Sequence, residues 1–131
     1  MGCGDMVEFE RNWGEVSGQR FLYVRPKSEI SDEDWVRFFQ AELDDYRHDV
    51  FLVLVDVVGV EDNIGFDGFS RIAELLKKLN VRRTRIAVLP ANESYPFLVD
   101  LFDTIAGKRG LDLKVELFHQ RETAEAWLGS Q

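Results

Sequence analysis

The segment Val50-Phe51-Leu52-Val53-Leu54-Val55-Asp56-Val57-Val58 limits what this chain can fold into more than any other. It is a nearly unbroken apolar run, rich in β-branched residues and without alternation. A strand of that kind is covered on both faces, as the central strands of parallel sheets are. Parallel neighbours need crossover connections, which are usually helices. The run does not cross a membrane. Extended to Val60 it is still broken by Asp56, and it stays far short of the ~20 apolar residues a bilayer requires.

The flanking sequence supplies the helices. Ser31-Asp32-Glu33-Asp34 opens one: Ser31 caps the first turn, Asp34 stands at the reciprocal position, and three carboxylates suit the positive end of the dipole. Trp35, Phe38, Phe39, Leu43 and Tyr46 then recur at spacings of three and four. After the polar loop Gly59 to Gly65, a second helix begins near Phe66, with Phe69, Ile72, Ala73, Leu76 and Leu79 on one stripe. Arg85 to Leu89 is another buried strand, halted at Pro90. A helix from Pro96 to Gly107 follows, with Leu98, Leu101, Phe102 and Ile105 inward.

The two ends of the chain read as half-wet strands. Met6 to Arg11 alternates, Asn12-Trp13-Gly14 and Ser17-Gly18 supply turn residues, and Gln19 to Arg25 returns as the second arm of a hairpin closed by Pro26. Leu111 to Leu117 alternates in the same way, and Glu122 to Leu128 is a short last helix. The order is β-β-α-β-α-β-α-β-α. This predicts one α/β domain over residues 1–131, with a mixed, mostly parallel sheet, the N-terminal β-hairpin at an edge and the helices crowded on one side.

The 131 residues suffice for a core without disulfides, with 45% hydrophobic and 12% aromatic residues. A net charge of −8 argues against nucleic acid and against an anionic membrane surface, and the short apolar run already argues against membrane insertion. Cys3, the one cysteine, has no partner for an internal disulfide, and the first residues carry no apolar signal-peptide core. Met1-Gly2-Cys3 hints at lipidation, but Met6 stands where the myristoylation pattern wants Ser or Thr. A soluble, cytoplasmic protein is expected.

The hairpin, the helix opening Ser31-Asp32-Glu33-Asp34-Trp35, the strand Arg85-Ile86-Ala87-Val88 and the closing Ala124-Glu125-Ala126-Trp127-Leu128 together resemble the SpoIIAA-like proteins, small bacterial relatives of the STAS and CRAL-TRIO folds. The resemblance spans about Met6 to Leu128. It implies a mixed sheet wound as a β-α superhelix and a non-enzymatic binding or regulatory role, since STAS domains dock partner proteins and CRAL-TRIO relatives hold apolar ligands. The phosphorylatable Asp-Ser-Ser-Gly string of the anti-sigma-factor antagonists is absent. Asn63-Ile64-Gly65-Phe66-Asp67-Gly68 stands in its place. Ser70, further into the helix, is the remaining candidate phosphosite and otherwise a surface hydroxyl.

Asp56 at a strand's carboxyl end suggests a phosphoacceptor, but the acidic pair and the Lys that such a site needs are missing, and hydrogen bonds to loop amides suit it better. His48 and His119 have no ligand-spaced partners, so no metal or cofactor is expected. Lys77, Lys78, Arg82, Arg83 and Arg85 form a basic run that suits a helix C-terminus or an acidic partner surface, with Asp32-Glu33-Asp34 or Asp44-Asp45 as complements. Trp13, placed on the hairpin turn, is a candidate contact residue.

Three functions fit. One is a non-enzymatic module that docks a protein partner or itself. Another is a carrier of a small apolar or lipid-like ligand in a pocket of Trp35, Phe39, Phe66, Phe69, Phe97 and Phe102. The last is an enzyme centred on Asp56. In the hairpin, Phe21 and Tyr23 face one way and Leu22 and Val24 the other, so a homodimer through Trp13, Phe21 or Tyr23 is expected unless the loop or chain termini cover that face.

Overall fold

A computed structural model describes residues 8–44, 46, 49–90 and 95–131. The elements are β1 (Phe9–Val16), β2 (Gln19–Pro26), α1 (Asp32–Asp44), β3 (Val50–Asp56), α2 (Phe66–Lys78), β4 (Arg83–Leu89), α3 (Tyr95–Lys108), β5 (Leu113–Leu117) and α4 (Arg121–Gly129). The strands form one sheet in the order β1-β2-β3-β4-β5. β1 pairs antiparallel with β2, and every other neighbour is parallel. The hairpin therefore caps one edge of a parallel sheet, and the apolar run lies at its centre as β3.

Strand alternation sends side chains to two separate cores. Leu22, Val24, Phe51, Val53, Val55, Ile86, Val88, Leu113 and Val115 pack against α1, α2 and α3. Phe21, Tyr23, Leu52, Leu54, Ala87 and Leu89 face the other way, where Ala124 and Leu128 of α4 meet them. Right-handed crossovers put successive helices on one face when the strand order never reverses. The last helix has no strand to return to and folds beneath, lying across β4, β3, β2 and β1.

The hairpin turn lies later than the Asn12-Trp13-Gly14 string suggests. Ser17 and Gly18 both have positive φ (51° and 78°), and Val16 pairs with Gln19 across them. Such a two-residue turn matches the strand twist. Asn12, Trp13 and Gly14 are thus strand residues, and Trp13 is paired with Leu22. Gly14 is needed for close approach: a Cβ there would lie 2.6 Å from the ring of its partner Phe21. Of the predicted first strand, Met6 and Val7 lie outside the described residues.

Candidate functional site

Asp56 ends β3 on the face opposite α1–α3. Parallel pairing aligns Tyr23 with Leu54 and Val24 with Val55, so the same register sets Arg25 beside Asp56. Tyr23 Oη donates to Asp56 Oδ2 at 2.9 Å, and Arg25 Nη1 donates to Oδ1 at 2.9 Å. The Val58 amide also donates to Oδ1, at 3.2 Å, while Arg25 Nη2 reaches the Val58 carbonyl at 2.8 Å. Asp56 does take a loop amide, but two side chains of β2 hold it as well. Both carboxylate oxygens are engaged, which suits a clasp between strand ends better than a reacting group.

Burial, and then the bond to Asp56, push the Tyr23 hydroxyl up to about 12. The Arg121 guanidinium of α4 lies 4.1 Å over the Tyr23 ring and pairs with Glu125 at 2.7 Å. Tyr23 is only 5% exposed, and Phe21 is equally covered. Neither is available to a second copy. The expected apolar outer face of the hairpin is instead closed by α4, near the end of the chain.

Trp13 is 36% exposed. Its ring is nearly parallel to that of Tyr46, with centroids 6.5 Å apart, and Arg20 lies 4.2 Å from its centroid. Tyr46 Oη donates to the Val50 carbonyl. These residues, with Arg11, Glu42 and Leu52, line an open groove of about 760 Å³.

The proposed aromatic pocket divides in two. Trp35, Phe39, Phe69 and Phe102 are buried and border a space of about 40 Å³ with Val55, Ile86 and their neighbours. Phe69 and Phe102 stack at 4.4 Å and fill what a ligand would need. Phe66 and Phe97 do not join them. They open α2 and α3 on the solvent side, 63% and 77% exposed, at the carboxyl end of the sheet where Val58 is also exposed.

Ser70 is not a surface hydroxyl. Its Oγ is buried and has no hydrogen-bond partner among the described residues, because the apolar stripe of α2 takes in Phe69, Ile72 and Ala73 around it. The loop that leads into α2 is tied to its surroundings. Asp62 Oδ1 accepts from the Ile64 amide and from Trp35 Nε1, both at 3.1 Å, and Asp32 accepts from the Gly65 amide at 2.7 Å. A bridge between Ile30 and Asp62 joins the two loops above the sheet.

The charged strings are used within the chain. Asp34 bonds back to Ser31, and Glu33 receives both terminal nitrogens of Arg71, which holds its carboxyl below the usual range. Arg82 pairs with Asp49, Arg83 with Asp112, and Lys77 reaches the Arg109 carbonyl. Arg85 is buried, and bonds Asp112 at 2.9 Å and the Gln131 side chain at 3.1 Å beneath the end of α4. The basic run is thus divided between two ends of strands and one helix terminus. Among the described residues no three His, Cys, Asp or Glu side chains gather as metal ligands, and His119 is exposed. Cys3, Asp45 and His48 lie outside the described residues.

No family model and no curated protein matches the chain. Four chains of known structure do. One is an uncharacterized protein of the DUF3478 family from Shewanella loihica, described as having a SpoIIAA-like fold. It superimposes with a TM-score of 0.60 over 95% of this chain and 96% of that one, at 12% identity. At that identity the likeness is one of architecture alone, and it agrees with the element order, the edge hairpin and the mostly parallel sheet. This chain has a SpoIIAA-like fold.

Proposed function

We propose that the chain is a non-enzymatic binding module that docks a protein partner at the carboxyl end of its sheet. The observation that carries this reading is the exposure of Phe66 and Phe97 on the first turns of α2 and α3. Aromatic side chains left in water are enriched where one protein meets another. The Phe69–Phe102 stack ties the two helices together. Phe66 and Phe97 stand roughly one turn or slightly more beyond that stack, toward the same end.

The rival readings have less support. An enzyme centred on Asp56 needs a carboxylate free to accept a proton or a phosphoryl group, whereas Tyr23, Arg25 and the Val58 amide occupy both oxygens. A carrier that uses the pocket of Trp35, Phe39, Phe69 and Phe102 needs a cavity of ~300 Å³ or more, against the 40 Å³ found there; the larger groove beside Trp13 lies outside that pocket. Of the three hairpin contacts expected for a dimer, α4 covers Phe21 and Tyr23 and leaves Trp13 partly exposed.

Native mass spectrometry after gentle purification from the native host tests the proposal. The parent should retain a protein that a Phe66→Ser/Phe97→Ser variant of unchanged fold does not. A stoichiometric adduct of lipid-like mass on the parent would overturn the reading in favour of a carrier.

A further inference from the structure

The charges around the exposed aromatics narrow the partner's chemistry. Residues 27–34, 58–67 and 95–100 form the carboxyl end on the side of α1–α3, and they hold eight carboxylate side chains against one lysine. Asp67 follows Phe66 directly, Asp100 lies about one turn after Phe97, and Glu61 is three residues beyond Val58. Glu61 and Asp100 make no ion pair among the described residues. Asp67 shares Arg71 at 3.7 Å with Glu33, which holds that arginine at 2.9 Å. The rim of the aromatic surface is therefore acidic and largely unneutralised.

We infer that the partner is a cationic amphipathic segment, which sets apolar side chains on Phe66 and Phe97 while its Lys or Arg side chains meet Asp67, Asp100 and Glu61. The inference rests on the docking reading above and adds the partner class to it. Apolar anchors with complementary charges at the rim are the usual division of labour at such contacts, the anchors holding and the charges steering.

A second copy of this chain is the poorer occupant. Each copy carries a net charge of −8. Its cations do collect at the opposite end, where residues 77–85 and 107–114 hold eight Lys or Arg side chains against one Asp. Yet Arg82, Arg83, Arg85 and Arg109 are paired with Asp49, Asp112 and Glu74, and Leu79 is the exposed large apolar side chain among the described residues there. A contact between unlike ends is also heterologous, so it builds rings or filaments and not the two-fold pair that is the commonest assembly.

A fluorescently labelled synthetic amphipathic helix of Leu and Lys, beside its Leu/Glu counterpart, probes the surface by anisotropy. The parent should bind the Leu/Lys helix at least ~10-fold more tightly than the Leu/Glu helix, and raised salt should weaken binding. Phe66→Ser/Phe97→Ser, which keeps every charge, should weaken it by a similar factor. Asp67→Asn/Asp100→Asn should do the same with the aromatics intact, and Leu79→Ser at the other end should change nothing. Melting curves verify that the variants fold, and Phe97→Ser alone replaces the double variant if that one does not.

Undiminished binding by the Phe variant means charge adsorption alone and overturns the inference, as does equal binding of the Leu/Glu helix. Light scattering that shows the parent associating and the Phe variant monomeric makes a second copy the occupant: the inference fails and docking stands. If neither helix binds and the native host yields no partner lost by the Phe variant, the docking reading itself fails.

Discussion

The two faces of the sheet are closed by unequal means. On one, three helices interlock over nine strand side chains, and aromatic rings of α1, α2 and α3 fill the space between them. On the other, nine residues of α4 bury Ala124 and Leu128 against six strand side chains, with Trp127 leaning on Phe118. Polar clasps complete that second face, with Asp56 held by Tyr23 and Arg25 at one end and Arg85 held by Asp112 and Gln131 at the other. The first face is secured by redundancy. The second depends on a few contacts, so equal perturbations on the two faces should have unequal consequences.

A charge placed in the redundant face should have the largest effect. Val55→Asp puts an unpaired carboxylate among Trp35, Phe39 and Ile72, and a buried unpaired charge costs several kcal/mol, comparable to a total stability of ~5–15 kcal/mol. No soluble folded protein should be recovered. A variant that melts within a few degrees of the parent would show that β3 is not central.

On the second face, Leu128→Ala should cost about 2–5 kcal/mol, as large-to-small changes in a core do. Urea unfolding measures it. Dye binding to the uncovered sheet should rise at the same time, whereas a loss under ~1 kcal/mol would mean that α4 is held chiefly by its polar clasps.

Alkali should reach the same face through Tyr23. Its hydroxyl is raised from the ordinary value of 10.0 to about 12, by burial first and Asp56 second. A folded-state value above the unfolded one binds the proton more tightly in the native chain. The resulting stability is whole below pH 10 and is lost as pH climbs from about 10 to about 12. Tyr23→Phe should flatten much of that part of the stability–pH curve, and ultraviolet titration should show two tyrosines ionising late in the parent, Tyr23 and the partly buried Tyr46, and only Tyr46 in the variant. If parent and variant curves run parallel across the window, the clasp is not coupled to folding.

The smallest change belongs to Ser70 on the first face. Its buried hydroxyl is unpaired among the described residues, so Ser70→Ala removes a desolvation cost and should be neutral or stabilising by up to about 1 kcal/mol. A clear loss in thermal unfolding would reveal a bond to that hydroxyl.

Periodicity made most of the fold legible. The apolar run of β3 and the three- and four-residue spacing of Trp35, Phe38 and Phe39 or of Phe69, Ile72 and Ala73 are local signals, and each element formed where its pattern lay. Turn chemistry misled at Asn12-Trp13-Gly14, because Gly14 is there for the Phe21 ring and not for a bend. The site was less legible, since it depends on register between strands. That Tyr23 and Arg25 meet Asp56 follows from aligning Val24 with Val55, a pairing no single strand encodes. The split of the aromatics was hidden for a related reason: Phe66 and Phe69 share one helical stripe, yet only the second lies deep enough along α2 to meet Phe102.

The position of α4 has a further consequence during synthesis. Every strand that α4 covers precedes it in the chain. As the polypeptide leaves the ribosome, β1 to β5 and the three overlying helices can assemble while Phe21, Leu52 and Leu54 still face solvent on the underside. That surface waits until residue 128 has cleared the exit tunnel. Nascent chains with apolar sheet exposed in this way are exposed to aggregation and to chaperone capture. A nascent chain stalled with Arg121 just inside the tunnel mouth should therefore expose a nearly complete sheet that chaperones still recognise, and one tethered by an added linker that carries Leu128 outside should release them.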